Sequence, residues 1–136
     1  MDLPACVQSA ASHYGLPYSL IKAVVYVESR GNPLAVNRSN RNGTEDIGLM
    51  QINTVWRPVL HRYGIGKEDL KNPCINAIAG SWILRKYYVK TGNWVDALSA
   101  YNAGPSRLNV GRKYALKVIR YWYQFRGEMT SVSYSK

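Results

Sequence analysis

Three carboxylates in the first half of the chain, Glu28, Glu45 and Asp46, are the side chains that could carry acid–base chemistry. The sequence has 8 acidic residues among 136, so each can be weighed separately. The others lie near a terminus or where a helix is predicted to start, and a negative charge is favourable at a helix start. These others are Asp2, Glu68, Asp69, Asp96 and Glu128.

Glu28 differs from the other carboxylates because it falls on the apolar face of a predicted helix, Tyr18–Arg30. It follows Ile21 by seven residues and Val24 by four, so the three side chains share one face. Loss of hydration there disfavours the charged form and raises the pKa of the carboxyl. A Glu that keeps its proton near neutral pH can act as a general acid. The competing interpretation is a side chain that reaches solvent or pairs with Arg30.

The spacing of apolar residues predicts a mainly helical chain of α+β class. The longest predicted helix starts after Asn72 and carries a stripe from Ile75 to Tyr87 at the i, i+3, i+4 and i+7 positions. The tail, about 128–136, is Ser-rich and predicted to be loose. The predicted helices are Val7–Tyr14, Tyr18–Arg30, Ile47–Asn53, Trp56–Tyr63, Pro73–Lys90, Trp94–Ala100 and Gly111–Phe125.

Residues 31–47 break the helical pattern. This stretch is rich in Asn, and Asn42-Gly43 is a strong signal for a tight turn. It therefore predicts a small irregular β-hairpin around residues 34–47, which would flank a groove beside Glu28. The chain shows no internal repeat and no linker, so residues 1–136 are interpreted as one domain.

The composition excludes several classes of protein. With 46% hydrophobic and 19% charged residues, the chain is neither disordered nor a coiled coil. No apolar run is long enough to span a membrane. The net charge of +10 has two interpretations. The basic residues either bind an anionic partner or form a solvated surface that aids solubility. Two isolated histidines and two distant cysteines do not make a metal site, and no cofactor is expected.

Four ordered motifs between residue 28 and about 120 resemble the SLT-type lytic transglycosylases of the lysozyme-like superfamily. The motifs are Glu28-Ser29, Gly48-Leu49-Met50-Gln51, Ala100-Tyr101-Asn102-Ala103-Gly104-Pro105 and a tyrosine in the last helix, Tyr114. The segment around Asp46 is also similar to the hairpin that carries the catalytic Asp of c-type lysozymes. The combination is most similar to the small transglycosylases that accompany type III secretion systems, the EtgA/IpgF-like group.

The resemblance implies a lysozyme-like fold and cleavage of peptidoglycan at the β-1,4 bond from N-acetylmuramic acid to N-acetylglucosamine. It implies that Glu28 is the acid and then the base, and that Asp46 adds negative charge near the anomeric carbon. Glu45 is expected to face the opposite way. The residues expected to bind or orient substrate are Ser29, Met50, Gln51, Tyr101, Asn102, Ala103, Gly104 and Tyr114. Among these, Met50 and Tyr101 are expected to line the groove, Tyr114 is expected to hydrogen-bond Glu28, and Ser29 is expected to bond either Glu28 or a substrate oxygen.

Cysteine counting alone leaves open whether Cys6 and Cys74 form a disulfide or remain two buried thiols. The related secretion-associated group carries a Cys pair in similar positions, which implies a disulfide in an oxidising compartment. The resemblance also implies export to the periplasm, although no signal peptide is visible in the sequence. It further implies glycan strands as substrate and a secretion-system component, such as an inner rod protein, as a partner.

Two other functions remain open at this stage. The same residues would serve a lysozyme-type hydrolase in which water attacks the anomeric carbon with help from Asp46. A non-catalytic, basic module that binds peptidoglycan or nucleic acid would explain the charge and the content of 4 Trp and 11 Tyr. That module would leave the motifs at 28, 46 and 101 unexplained, so nucleic acid is not expected as a partner.

Overall fold

A computed structural model describes the backbone of residues 1–134 and the side chains of residues 1–128. In these residues, six α-helices and a small three-stranded sheet contribute side chains to one apolar core. Within the described residues, no helix is long and apolar enough to cross a membrane. The helices are α1 (Ala5–His13), α2 (Tyr18–Ser29), α3 (Arg57–His61), α4 (Pro73–Thr91), α5 (Trp94–Ala103) and α6 (Leu108–Tyr134).

The helix boundaries follow the capping signals of the sequence. Asn72 accepts hydrogen bonds from the first backbone N–H groups of α4, and Asn93 does the same for α5. Gly92 ends α4 in the left-handed conformation, with φ of 79°. Six α-helices and one small sheet together confirm the prediction of a mainly helical α+β fold.

The centre of the core is α2, whose apolar face is fully buried. It packs against α6, and α5 packs against both α4 and α6. Ile21, Val24 and Val25 have no exposed surface, as the stripe predicted. Glu28 continues the same face in the last turn of α2, so the core places this carboxylate at the edge of the apolar interior.

The sheet is antiparallel, with strands in the order β1 (Val36–Asn37), β2 (Asp46–Ile47) and β3 (Ile52–Asn53). β1 and β2 form the predicted hairpin, with Asn37 opposite Asp46. Asp46 in turn lies opposite Asn53 across the second strand pair. The sheet therefore places Asp46 in its central strand, between two asparagines.

The predicted helix over Ile47–Asn53 is wrong, because this segment is a tight turn between β2 and β3. Gly48 and Gln51 both have positive φ, 80° and 52°, and these values reverse the chain direction. A side chain at position 48 is also sterically excluded, because a Cβ atom there would lie 2.2 Å from Nδ2 of Asn76. The apolar residues of this turn are buried by contacts with α4 rather than by a helical period.

The last helix is longer than predicted at both ends. It begins at Leu108 rather than Gly111 and continues to Tyr134 rather than Phe125. The predicted loose tail is therefore helical over residues 128–134, and residues 135 and 136 lie outside the described residues. The sequence between 126 and 134 has no proline, and its one glycine, Gly127, does not end the helix.

The predicted disulfide is confirmed, since Cys6 and Cys74 are bonded. The bond joins the start of α1 to the first turn of α4, two elements separated by 68 residues. A cross-link over a loop of this size restricts the unfolded chain strongly.

We expect replacement of both cysteines by Ser to lower the free energy of unfolding by about 4 kcal/mol, because the unfolded chain regains the entropy of the open loop. Urea unfolding of the double variant and of the wild type checks this value. Wild-type protein treated with a reducing agent is the control and should lose a similar amount. A loss below about 1 kcal/mol in both samples would contradict the prediction.

Candidate active site

Glu28 opens into a groove between the small sheet and α5. The groove has a volume of about 250 Å³. Both Glu28 and Asp46 line it, so the fold brings the two predicted catalytic carboxylates to one cavity. The other lining residues are Asn42, Gln51, Ile52, Asn53, Val55, Trp56, Ile83, Tyr87, Ala100, Tyr101, Asn102, Ala103 and Gly104.

The surroundings of Glu28 favour its protonated form. Burial raises the pKa of Glu28 most, a hydrogen bond from Tyr114 lowers it, and the negative charge of Asp46 raises it by a smaller amount. Together these effects raise the pKa of Glu28 from 4.5 to about 8. The carboxyl therefore holds a proton at neutral pH, which is what a general acid requires.

Tyr114 contacts the carboxyl group directly. Its hydroxyl donates a hydrogen bond of 2.9 Å to Oε2 of Glu28, the contact that the sequence suggested for this residue. Burial and the charge of Glu28 raise the pKa of Tyr114 well above its ordinary value, so the hydroxyl remains a donor. This bond leaves the other oxygen, Oε1, free of Tyr114.

We expect Tyr114→Phe to shift the alkaline limb of the pH–rate profile to higher pH. The hydroxyl stabilises the ionised carboxylate, so its removal raises the pKa of Glu28 further. A hydrogen bond to a charged group is worth about 1.5–3 kcal/mol, so a shift on the order of one pH unit is expected. A limb that stays in place or moves to lower pH would show that Tyr114 does not act on the acid.

Asp46 is held by three side-chain amides. Asn37 and Asn40 donate to its Oδ2 at 3.1 and 3.0 Å, and Asn53 donates to its Oδ1 at 2.9 Å. Both carboxylate oxygens are therefore fixed in direction by the sheet and by the loop between β1 and β2. These partners were not predicted from the sequence, although the Asn-rich composition of residues 37–53 was their signal.

Glu45 faces away from the groove, as expected for the neighbour of Asp46 in an extended segment. It forms ion pairs with Arg38, at 2.9 Å, and with Lys67. These two cations lower the pKa of Glu45, and Lys67 has the larger effect. Glu45 therefore connects the hairpin to Lys67 through an ion pair, and it does not line the groove.

The turn over residues 48–51 joins three parts of the site through its backbone carbonyls and one side chain. Ser29 donates to the carbonyl of Leu49 at 2.7 Å, and Tyr101 donates to the carbonyl of Met50 at 2.7 Å. Gln51 donates from Nε2 to the carbonyls of Ala35 and Gly48. These bonds fix the turn to α2, to α5 and to the segment before β1.

These contacts change the expected roles of several residues. Ser29 is buried and bonds to backbone rather than to Glu28, and Met50 is fully buried in the core rather than in the wall of the groove. The amide nitrogen of Gln51 is occupied by backbone, although the residue still lines the groove. By contrast Tyr101, Asn102, Ala103 and Gly104 all line the groove.

Two aromatic residues that the motifs did not include, Trp56 and Tyr87, also form part of the groove wall. Their rings meet edge to face, with centroids 6.1 Å apart. The unusual Trp and Tyr content was the signal for such surfaces, but composition does not say which rings face a groove. Among the described side chains, those of residues 1–128, no three His, Cys, Asp or Glu residues form a cluster that could hold a metal ion.

Comparison with known proteins matches residues 5–120 to the transglycosylase SLT domain family. Protein IpgF of Shigella sonnei is 34% identical over 126 residues, which cover 90% of this chain and 82% of the relative. The invasion protein IagB of Salmonella typhimurium is 34% identical over 125 residues, covering 90% and 78%. A putative peptidoglycan-binding-like protein of Escherichia coli K12 is also 34% identical, covering 86% and 80%.

The fold is similar to a solved structure, an inactive mutant of the lytic transglycosylase Slt from Pseudomonas aeruginosa. The TM-score is 0.77 over 93% of this chain, at 24% sequence identity. The present chain spans about a quarter of that longer protein, 24% of its length. This likeness concerns the fold, whereas the family match and the curated relatives cover most of the sequence. The chain belongs to the transglycosylase SLT domain family.

Proposed function

We propose that the chain is a peptidoglycan lytic transglycosylase that cleaves the β-1,4 bond between N-acetylmuramic acid and N-acetylglucosamine. The observation that carries this proposal is the position of Glu28 at the end of a buried helix face, with a raised pKa and access to the groove. Membership of the transglycosylase SLT domain family supports the same reaction.

In the first step, Glu28 gives its proton to the glycosidic oxygen as the bond to the anomeric carbon breaks. The transition state resembles an oxocarbenium ion, so negative charge nearby lowers its energy. Asp46 lines the same groove and supplies that charge, while the N-acetyl oxygen of the substrate assists at the anomeric carbon. Three amide donors hold the Asp46 carboxylate in place during this step.

In the second step, the Glu28 carboxylate takes the proton of the C6 hydroxyl of the muramic acid unit. The C6 oxygen then closes on the anomeric carbon, which gives a 1,6-anhydro product and restores the protonated acid. The hydroxyl of Tyr114 bonds to the carboxylate in the interval between the two proton transfers. One carboxylate thus serves as acid and as base.

Mass spectrometry of muropeptides released from purified cell walls tests this reaction. We expect 1,6-anhydro ends with the wild type and no soluble fragments above background with Glu28→Gln. Reducing ends in place of anhydro ends would overturn the lyase reaction and favour a lysozyme-type hydrolase. The presence of Asp46 in the groove is the observation that keeps this hydrolase as the second candidate.

We further propose that the enzyme acts in the periplasm and opens the wall locally for a secretion apparatus, with a component such as an inner rod protein as its partner. The support is the 34% identity to an invasion protein of Salmonella typhimurium over 90% of this chain. A deletion strain complemented with wild type or with Glu28→Gln tests the role. Equal secretion from both strains would contradict it, and stimulation of the rate by the purified rod protein would support the partnership.

A further inference from the structure

The turn over residues 48–51 connects the catalytic groups, yet most of it does not face the groove. Asp46 precedes it by two residues, and Gln51 at its end lines the groove. Its Leu49 carbonyl accepts a hydrogen bond from Ser29, the neighbour of Glu28, and its Met50 carbonyl accepts one from Tyr101. A shift of this turn would therefore move the two carboxylates relative to each other.

A buried asparagine on α4, Asn76, forms hydrogen bonds with the turn and its surroundings from the side of the core. Its Nδ2 donates to the carbonyls of Ile47 and Leu70, each at 2.8 Å, and its Oδ1 accepts from the N–H of Met50 at 2.8 Å. The residue has no exposed surface. Both amide hydrogens and the amide oxygen are thus bonded to backbone groups. Two of these three bonds are made to Met50 in the turn and to Ile47 directly before it.

The disulfide and the start of α4 restrain the position of Asn76 in the fold. It lies in the first turns of α4, two residues after Cys74, which is bonded to α1. The turn also fits closely around it, because a Cβ atom on Gly48 would lie 2.2 Å from Asn76 Nδ2. The conformation of the turn and the asparagine amide are therefore matched to each other.

We propose that Asn76 is a positioning residue for the cleavage reaction: its amide sets the place of residues 47–50 and through them the geometry of Asp46, Tyr101 and Glu28. This inference rests on the proposed function, since it assigns a role in that same site. Neither the motifs nor the apolar stripe of α4 indicated this residue, because its partners are backbone groups and two of them lie 26 and 29 residues away along the chain.

The amide has a specific chemistry that no other side chain of this size reproduces. An aspartate at this position would place an acceptor oxygen against the Ile47 and Leu70 carbonyls. A buried carboxylate facing two carbonyl oxygens binds a proton more tightly than an exposed one. When protonated, it donates to one of these carbonyls and still accepts from Met50. The substitution therefore makes the hydrogen bonds between residue 76 and the turn depend on pH.

The test measures the rate of muropeptide release by Asn76→Asp relative to the wild type at each pH from 5 to 8. We expect a deficit on the order of 10- to 100-fold at pH 8 that shrinks to within about threefold at pH 5. The matched control is Ser81→Ala, on the same helix and also buried, whose hydroxyl has no hydrogen-bond partner in the described part of the chain. Its rate should stay within about twofold of the wild type at every pH.

A second variant and a second measurement keep the test decisive. Asn76→Ala, assayed at 10 °C to keep it folded, should show a deficit that does not change with pH, because it has no titrating group. Because Glu28 also titrates in this range, the wild type is the reference: NMR signals of residues 46–51 should move more between pH 5 and pH 8 in Asn76→Asp than in the wild type, whether or not the protein cleaves peptidoglycan. Signals that move no more in the variant than in the wild type, or an Asn76→Asp rate equal to that of the wild type at pH 8, would overturn the inference. If the wild type does not cleave peptidoglycan but the signals of Asn76→Asp move as expected, the result refutes the proposed function instead.

Discussion

Replacement of Glu28 by Gln is expected to lower the rate of glycan cleavage by at least about 10²–10⁴-fold while the chain stays folded. The amide has no acidic proton to give to the glycosidic oxygen and no carboxylate to accept one from the C6 hydroxyl. Both steps of the proposed reaction therefore fail together. The measurement is the release of soluble muropeptides, and a variant that keeps more than a tenth of the wild-type rate would end the assignment.

The same variant should be more stable than the wild type at alkaline pH. The pKa of Glu28 is about 8 in the folded protein against an ordinary value of 4.5, so the folded state binds this proton more tightly. The wild type then loses stability as pH rises from about 4.5 through 8, up to an amount on the order of 5 kcal/mol. Gln does not titrate and avoids this loss.

Urea unfolding at pH 4, 6 and 9 checks the sign of the effect. The stability difference between Glu28→Gln and the wild type should be small at pH 4 and should grow in favour of the variant towards pH 9. A difference that is constant with pH would show that the folded protein does not raise the pKa of this carboxyl.

Asp46→Asn is expected to lower the cleavage rate by roughly ten- to a thousandfold without abolishing it. The variant removes the negative charge near the anomeric carbon, but the N-acetyl oxygen of the substrate can still assist. One carboxylate oxygen also becomes an N–H group facing amide donors such as Asn53, so the hairpin loses at least one hydrogen bond. Circular dichroism should accompany the rate measurement to confirm that the fold remains.

Glu45→Gln is the matched control, because it removes a neighbouring carboxylate that faces away from the groove. Its ion pairs with Arg38 and Lys67 are near the surface, where solvent screening makes such pairs contribute little to stability. Its rate should remain within about twofold of the wild type. A severe loss in Glu45→Gln with none in Asp46→Asn would exchange the roles of the two residues. Wild-type rates in both would make Asp46 structural and leave Glu28 as the one catalytic carboxylate.

The amino-acid sequence alone predicted most of the helices and the position of Glu28 at the end of a buried helix face. The period of apolar residues on α2 predicted both the buried face and the position of Glu28 at its open end, because a helix places residues four and seven apart on one side. Caps such as Asn72 and Asn93 act within a few residues of themselves, so the helix starts were also readable. The disulfide between Cys6 and Cys74 was implied by the resemblance to a family rather than by counting.

Tertiary structure alone decided how the groups around the acid are held. The segment Ile47–Asn53 has apolar residues that suit a short helix, but packing against α4 and the backbone bonds of Asn76 make it a turn. Ser29 and Met50 belong to the family motifs, yet the fold uses one to bond the turn and the other to fill the core. Asn76 itself has no local signal, because its three partners lie 6 to 29 residues away along the chain. Local patterns report the conformation of neighbouring residues, whereas these contacts form only when distant segments meet.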